Sequence, residues 1–195
     1  MGRQSARSQW AAHIAKGAPR RAVAAGEPPP RTPFTGTVLG VDPSLRGTGL
    51  AVVAFDRPGK GRYVVSETLR PPRSADLAHC LGEIATVVAR LLRELKPDAF
   101  AIEETIYVQN YRTAQKLGAA RGAAIGQAAM TGVPVFEYSP LRIKQAVVGY
   151  GRASKEQVSR QMSGLLGLAE PLPFDEADAV ATAYCHALTA KKEGE

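Results

Sequence analysis

Four acidic residues stand where carboxylates can act together. Asp42 closes the apolar run Thr37–Asp42 (TVLGVD) just before a turn, and Glu103 closes Ala99–Glu103 (AFAIE) in the same way. The ends of strands in an α/β sheet open into a crevice where ligands bind. Asp175 and Asp178 are three residues apart at the start of the last helical segment, so they share one face. Ala177, Ala179, Val180 and Ala181 surround them, the company of a buried helix rather than a solvated acidic patch. If that helix lies beside the first and fourth strands, four carboxylates converge. Such a group does not stay ionised at close range without a cation. All-oxygen donors suit Mg²⁺, with Mn²⁺ as a substitute, and not zinc. Two such ions per site, about 4 Å apart, activate a water and stabilise the leaving oxygen of a phosphodiester.

Taken singly, each acid has a plainer role. Asp42 before Pro43 is a good turn former. Asp175 suits an N-cap, and Asp178 a first-turn acid favoured by the helix dipole. Glu103 is harder to place structurally, because Glu is a poor strand former. Glu104 is expected to point to the opposite face and reads as structural or as a support behind the site acids.

The elements that must hold these acids follow from the pattern. Thr37–Asp42, Gly49–Phe55 and Arg62–Leu69 read as three strands joined by short turns, Pro43–Thr48 and Arg57–Gly59, which predicts an antiparallel meander. Ser74 is the expected N-cap of a helix over Ala75–Glu94, with Leu77, Leu81, Ile84, Val88, Leu91 and Leu92 on its apolar face. Ala99–Glu103 is a fourth strand, Asn110–Met130 a helix rich in small residues, and Val133–Tyr138 a fifth strand. Ser139 and Ser154 are expected to cap helices over Pro140–Val148 and Lys155–Leu166, and Asp175–Ala190 is the last long helix. The fold class is therefore α/β, a mixed five-stranded sheet with three antiparallel strands and then two more, flanked by helices. Gly118, Ala119, Gly122, Ala123 and Gly126 give Asn110–Met130 a small face, suited to a close helix contact or, more commonly, to packing on the sheet.

The net charge is +7. Residues 1–36 carry Arg3, Arg7, Lys16, Arg20, Arg21 and Arg31 against Glu27, so +5 lies there and +2 in residues 37–195. Residues 1–36 read as a basic, disordered extension with a short helix around Trp10–Lys16; 37–190 read as one domain and 191–195 as a short tail. The Arg- and Ala-rich, acid-poor extension has something of an organellar transit peptide and lacks the apolar core of a secretory signal. No apolar run is long enough to span a membrane. Cys80 and Cys185 form no CxxC pair and no zinc spacing, and read as two buried thiols in a reducing compartment.

Four blocks resemble the RuvC family of bacterial Holliday junction resolvases. They are VLGVDPSLRGTGLAVV (38–53), FAIEETIYVQN with AQKLGAARGAAI (100–125), VPVFEYSPLRIKQAVVGYGRASKEQV (133–158) and DEADAVATAYCHA (175–187). The resemblance implies an RNase H-like fold and a Mg²⁺-dependent endonuclease that cuts four-way DNA junctions as a homodimer, beside the RuvA–RuvB branch-migration complex, in the bacterial cytoplasm. It makes Asp42, Glu103, Asp175 and Asp178 the metal ligands. It places Lys144 and Lys155 where the family has lysines for activity and DNA contact, and one lysine near the scissile phosphate would offset charge developing in the transition state. Lys155 has the wrong sign for a helix's first turn, which favours such a role over a solvated one.

The chain departs from the family at three places. The family's aromatic junction contact falls on Ile106, with Tyr107 following; a lysine position falls near Gln109; and Pro43 is followed by Ser44 where the family has Gly. Ile106, Tyr107 or Tyr111 then takes the junction contact. Arg112, Lys116, Arg121, Arg142 and Arg152 are candidate phosphate contacts. An actin-like phosphate-loop ATPase or kinase shares the early meander, but its second phosphate loop and adenosine site are missing from the sequence. A non-catalytic junction-binding protein is disfavoured by the four intact acids, and an RNA–DNA hybrid nuclease by the block around Lys144.

Overall fold

The computed structural model describes residues 34–105 and 110–190. The N-terminal extension up to residue 33, with its expected helix, lies outside the described residues, as do 106–109 and 191–195.

Three strands form the meander: β1 (Gly36–Asp42), β2 (Thr48–Arg57) and β3 (Lys60–Leu69). β1 pairs antiparallel with β2, Gly49 opposite Asp42, and β2 pairs antiparallel with β3. The β2–β3 hairpin turns on Gly59, whose φ of +68° is open to glycine at no steric cost. β4 (Ala99–Glu103) runs parallel to β1, and β5 (Val135–Tyr138) runs parallel to β4, giving the order β3-β2-β1-β4-β5. This is the mixed five-stranded sheet expected from the sequence.

Strand alternation sorts the core into two layers. Leu39, Val41, Leu50, Val52, Phe100 and Ile102 face α1 (Leu77–Leu95) and α2 (Tyr111–Thr131). Val38, Ala51, Val53, Ala99 and Ala101 face α3 (Pro140–Val148), α4 (Lys155–Leu166) and α5 (Phe174–Thr189). α5 is buried almost all round, from Ala177 to Ala187 apart from Asp178, as a helix apolar on every side must be. Its alanines let it sit directly on the sheet. A Cβ on Gly40 would fall 2.9 Å from the Ala183 nitrogen, and one on Gly49 would fall 2.6 Å from the Asp175 carbonyl carbon.

Most caps lie where expected. Ser139 and Ser154 cap α3 and α4, the latter in a reciprocal capping box with Gln157; Asn110, expected as the first residue of α2, is instead its cap through the Thr113 amide. The first helix differs. The Ala75 amide is taken by Pro72 in a turn, and Asp76, not Ser74, accepts from the His79 amide at 2.8 Å. α5 begins one residue before Asp175 with no side-chain cap, so Asp175 is free of the capping role. Phe34, assigned by sequence to the extension, packs edge-on against Phe55 and His186, with centroids 6.2 and 4.8 Å apart.

Candidate active site

The in-register pairing of Val41 with Ile102 makes Asp42 and Glu103 neighbours at the carboxyl ends of β1 and β4. Asp42 continues the row Val38, Gly40 and Glu103 the row Ala99, Ala101, so both project to the α5 side of the sheet. α5 crosses there and brings Asp178 to the same place. Asp42, Glu103 and Asp178 line a cavity of about 140 Å³ with Pro140, Ile143, Lys144, Lys155 and Val158. A second cavity, about 230 Å³, meets the first at Asp42 and Glu103 and is lined also by Ser44, Glu104, Thr105 and Leu117. The two strand-end acids thus stand between two openings.

Electrostatics mark this cluster as under-compensated. Burial, then the charge of Asp178 and more weakly Asp175, pushes Asp42 up to about 7 against the pull of Lys155. Burial, then Asp42 and Asp178, pushes Glu103 up to about 8 despite Lys144 and Lys155. Burial also raises Asp178, opposed by Lys155, whose Nζ lies 3.2 Å from Asp178 Oδ2. Burial disfavours the Lys155 ammonium, but its acidic neighbours outweigh that and its pKa is raised. Two lysines therefore face three desolvated carboxylates.

Asp175 stands apart from the lining of this cavity. Its carboxylate lies beside Gly47 and pairs with Arg70 at 3.2 Å. It still contributes to the raised Asp42 value, so it is electrostatically part of the cluster. The sequence reading did not single out Arg70 or its companions on β3. Ser66 and Thr68 pair with Ala51 and Gly49, and their hydroxyls both donate to Glu176, the neighbour of Asp175. The signal was the polar period-two row Ser66, Thr68, Arg70 on the face turned towards α5. Arg46 was also missed. Its guanidinium donates to the carbonyls of Pro72 (2.6 Å) and Ala75 (2.8 Å), tying the turn after Asp42 to the segment after β3.

The donor set fits a hard divalent cation: carboxylate oxygens only, on the ends of rigid elements, with raised pKa values that a cation would relieve. Among the described residues no three acidic, His or Cys side chains are drawn together into a ready-made metal cluster. The acids instead face one another across open space, with lysine and arginine supplying the positive charge.

The other candidates are placed as follows. Lys144 is half-buried in the cavity wall. Arg112 and Lys116 are exposed on α2, and Arg142 and Arg152 are exposed at the start of α3 and in the loop before α4. Arg121 pairs with Glu137 of β5. Tyr111 is exposed at the start of α2, and Ile106 and Tyr107 lie outside the described residues. On α2 the sheet is met by Ala120, Ala124 and Ala128; Gly118, Gly122 and Gly126 have open space around them.

A mixed sheet with acids at the ends of β1 and β4, completed by a helix laid across them, defines an RNase H-like α/β protein. A family model described as crossover junction endodeoxyribonuclease RuvC matches residues 38–186. The crossover junction endodeoxyribonuclease RuvC of Moorella thermoacetica is 44% identical over 151 residues, covering 77% of this chain and 90% of that protein. The structure of Thermus thermophilus RuvC in complex with a Holliday junction substrate is similar at a TM-score of 0.74 and 37% identity, over 78% of this chain and 93% of that one. The yeast mitochondrial Holliday junction resolvase Ydc2 shares the fold at a TM-score of 0.57 and 11% identity, over 96% of this chain and 85% of that one. The chain belongs to the RuvC family of crossover junction endodeoxyribonucleases.

Proposed function

We propose that this protein is a structure-selective endodeoxyribonuclease that resolves four-way DNA junctions by metal-dependent phosphodiester hydrolysis, in homologous recombination and repair. The observation that carries the reading is the convergence of Asp42, Glu103 and Asp178 from three rigid elements on one cavity walled by Lys144 and Lys155. Family membership supplies the substrate class.

Asp42, Glu103, Asp175 and Asp178 would hold two Mg²⁺ ions, with Mn²⁺ able to substitute. When bound, these ions supply an activated water and neutralise the leaving oxygen. The chain's own part is placement and charge. β1 and β4 fix Asp42 and Glu103 side by side, and α5 fixes Asp178 opposite them. Arg70 holds the Asp175 carboxylate at the cluster's edge, and a metal ion would compete with it for that oxygen. Lys144 and Lys155 balance the scissile phosphate as its charge grows. Arg112, Lys116 and Arg152 would follow the backbone of the arms, with Arg121 a weaker candidate because Glu137 holds it. Ile106 or Tyr107 would meet bases at the branch point.

The protein acts as a homodimer, since a two-fold junction calls for two symmetry-related cuts. The open Gly118, Gly122 and Gly126 row on α2 supports close approach of a second copy there. The RuvA–RuvB branch-migration complex is the expected partner and the bacterial cytoplasm the expected site of action. No helix among the described residues is long and apolar enough to cross a membrane. The basic extension is assigned to the residues before Phe34 rather than to 1–36, because Phe34 packs on the core and β1 starts at Gly36; the nuclease domain runs on to 190, with 191–195 as a short tail.

The test is cleavage of a labelled four-way junction with a mobile core, against linear duplex and RNA–DNA hybrid, with Mg²⁺ and with EDTA, for wild type and Asp178→Asn. Paired symmetric cuts confined to the junction, abolished by EDTA and by Asp178→Asn, are expected. Junction binding without cuts would point to a non-catalytic binder, and preferential cutting of the hybrid to a ribonuclease.

A further inference from the structure

The helix–loop–helix formed by α3 and α4 has features that the cavity does not use. Residues 139–160 hold Arg142, Lys144, Arg152, Lys155 and Arg160 against a single acid, Glu156. That net +4 exceeds the +2 of the whole of residues 37–195, so the rest of the domain is net acidic and positive charge is concentrated here. Lys144 and Lys155 turn into the cavity, while Arg142 and Arg152 remain exposed.

Between the two helices the chain exposes large apolar side chains amid this charge. Tyr150 is 57% exposed and Leu141 is 60% exposed. They belong to one surface, because a Cβ on Gly151, next to Tyr150, would fall 3.0 Å from Leu141 Cγ. Leu141 follows Pro140, which lines the cavity, so the apolar pair begins at the cavity's rim. The loop is fixed rather than loose. Gly149 closes α3 at a φ of +79°, the Ala153 amide donates to the Tyr150 carbonyl at 3.1 Å, and Ala153 is buried. An aromatic ring on a braced loop, within a helix–loop–helix that carries five basic residues, is how proteins stack an unpaired base while tracking its backbone.

We propose that Tyr150, with Leu141 beside it, is a stacking platform for an unpaired base at the branch point of the DNA strand whose phosphates pass Lys144 and Lys155. This rests on the proposed junction-cutting function and deepens it. The occupant is nucleic acid because residues 139–160 set five basic side chains against one acid. It is an unpaired base because a ring beside a leucine presents an apolar face that paired, stacked bases do not need.

The experiment measures binding without divalent ions, in EDTA, of a four-way junction carrying 2-aminopurine at the branch point and of a linear duplex of the same arm sequence. Wild type is expected to prefer the junction and to quench the probe. Tyr150→Ala should weaken junction binding about tenfold, relieve the quenching, leave duplex binding unchanged and leave the salt slope unchanged, since a neutral ring releases no counterions. Tyr150→Phe should behave as wild type. Equal junction affinity and quenching in Tyr150→Ala would overturn the proposal, as would parallel losses on junction and duplex. A wild type with no preference for the junction would instead overturn the junction-cutting function on which it rests.

Discussion

Substituting Gly49→Ala tests how the site is assembled. Gly49 sits on β2 opposite Asp42, directly beneath the first turn of α5. Its new Cβ would lie 2.6 Å from the Asp175 carbonyl carbon and 3.3 Å from the Asp175 Cα. These are backbone atoms, so no rotamer relieves the overlap. Ordinary carbon–carbon contact is about 3.5–4.0 Å, so the helix start must rise by about 1 Å. Overpacking of this kind costs about 1–3 kcal/mol. The upper end is expected because α5 is buried between the sheet and α3 and α4 and has no room to retreat. For a domain of this size that lowers the melting temperature by about 6–12 °C. The same displacement carries Asp175 and Asp178 off β1 and β4, and an error of about 1 Å in a reacting geometry costs about 100-fold in rate. The assay pairs urea unfolding with Mg²⁺-dependent junction cleavage at a temperature where both proteins are folded. Gly82→Ala is the control. Its Cβ meets nothing within 4 Å in the middle of α1, so it should stabilise by about 0.5–1 kcal/mol and leave cleavage alone. If Gly49→Ala is as stable and as active as wild type, the close seating of α5 does not set the site, and the reasoning fails.

Three further outcomes follow from the charge arrangement. Asp42 has a folded pKa of about 7 against an ordinary 3.8, so the metal-free fold loses stability as pH rises from the lower value through the higher. Asp42→Asn should therefore stabilise the EDTA-treated protein by about 2–3 kcal/mol near pH 8, while abolishing cleavage; a destabilised variant would refute the account of the cluster. His186 is buried with Nδ1 2.8 Å from the Tyr138 hydroxyl, and burial lowers it to about 4 from 6.5. Its contribution is complete above pH 6.5 and is lost as pH falls towards 4, so wild type should lose about 2 kcal/mol relative to His186→Gln between pH 7 and pH 5, read from paired urea titrations. An unchanged difference would mean that the ring takes up its proton as readily in the fold as in the unfolded chain. Lys155→Met removes the 3.2 Å partner of Asp178 and should lower single-turnover cleavage by about 100- to 1,000-fold while junction affinity in EDTA changes only a few-fold; a loss confined to affinity would make Lys155 a docking residue alone.

What the sequence revealed, and what it hid, divides along physical lines. Local chemistry was legible. Ser139 and Ser154 announce α3 and α4 because a hydroxyl before a helical run has one good use. Asp42 and Glu103 announce strand ends because an apolar alternation stops on a carboxylate. Ser74 misled because Asp76, two residues on, is an equally good cap, and the turn from Pro72 to Ala75 decides between them. Phe34 was missed because one aromatic after a proline-rich run has no periodicity to reveal the pocket formed by Phe55 and His186. The pairings of Arg70 with Asp175 and of Ser66 and Thr68 with Glu176 span more than 100 residues, a distance over which no local pattern speaks.

Those long-range pairings explain how the acids of α5 can be placed so closely. Asp178 faces Lys155, Asp175 faces Arg70, and Glu176 takes two hydroxyls from β3. Each carboxylate in the helix's first turns thus has a partner on a different element, so the helix is tied down on both sides. Gly40, Gly49 and the alanine face of α5 then fix its height above the sheet. Charge sets the helix's lateral position and backbone contact sets its depth. Asp42 and Glu103, at the strand ends, have only Lys144 and Lys155 to offset them, and theirs are the pKa values pushed furthest up. The electrostatic strain of the fold is therefore concentrated on the two carboxylates between the cavities, where binding a divalent cation would relieve the most.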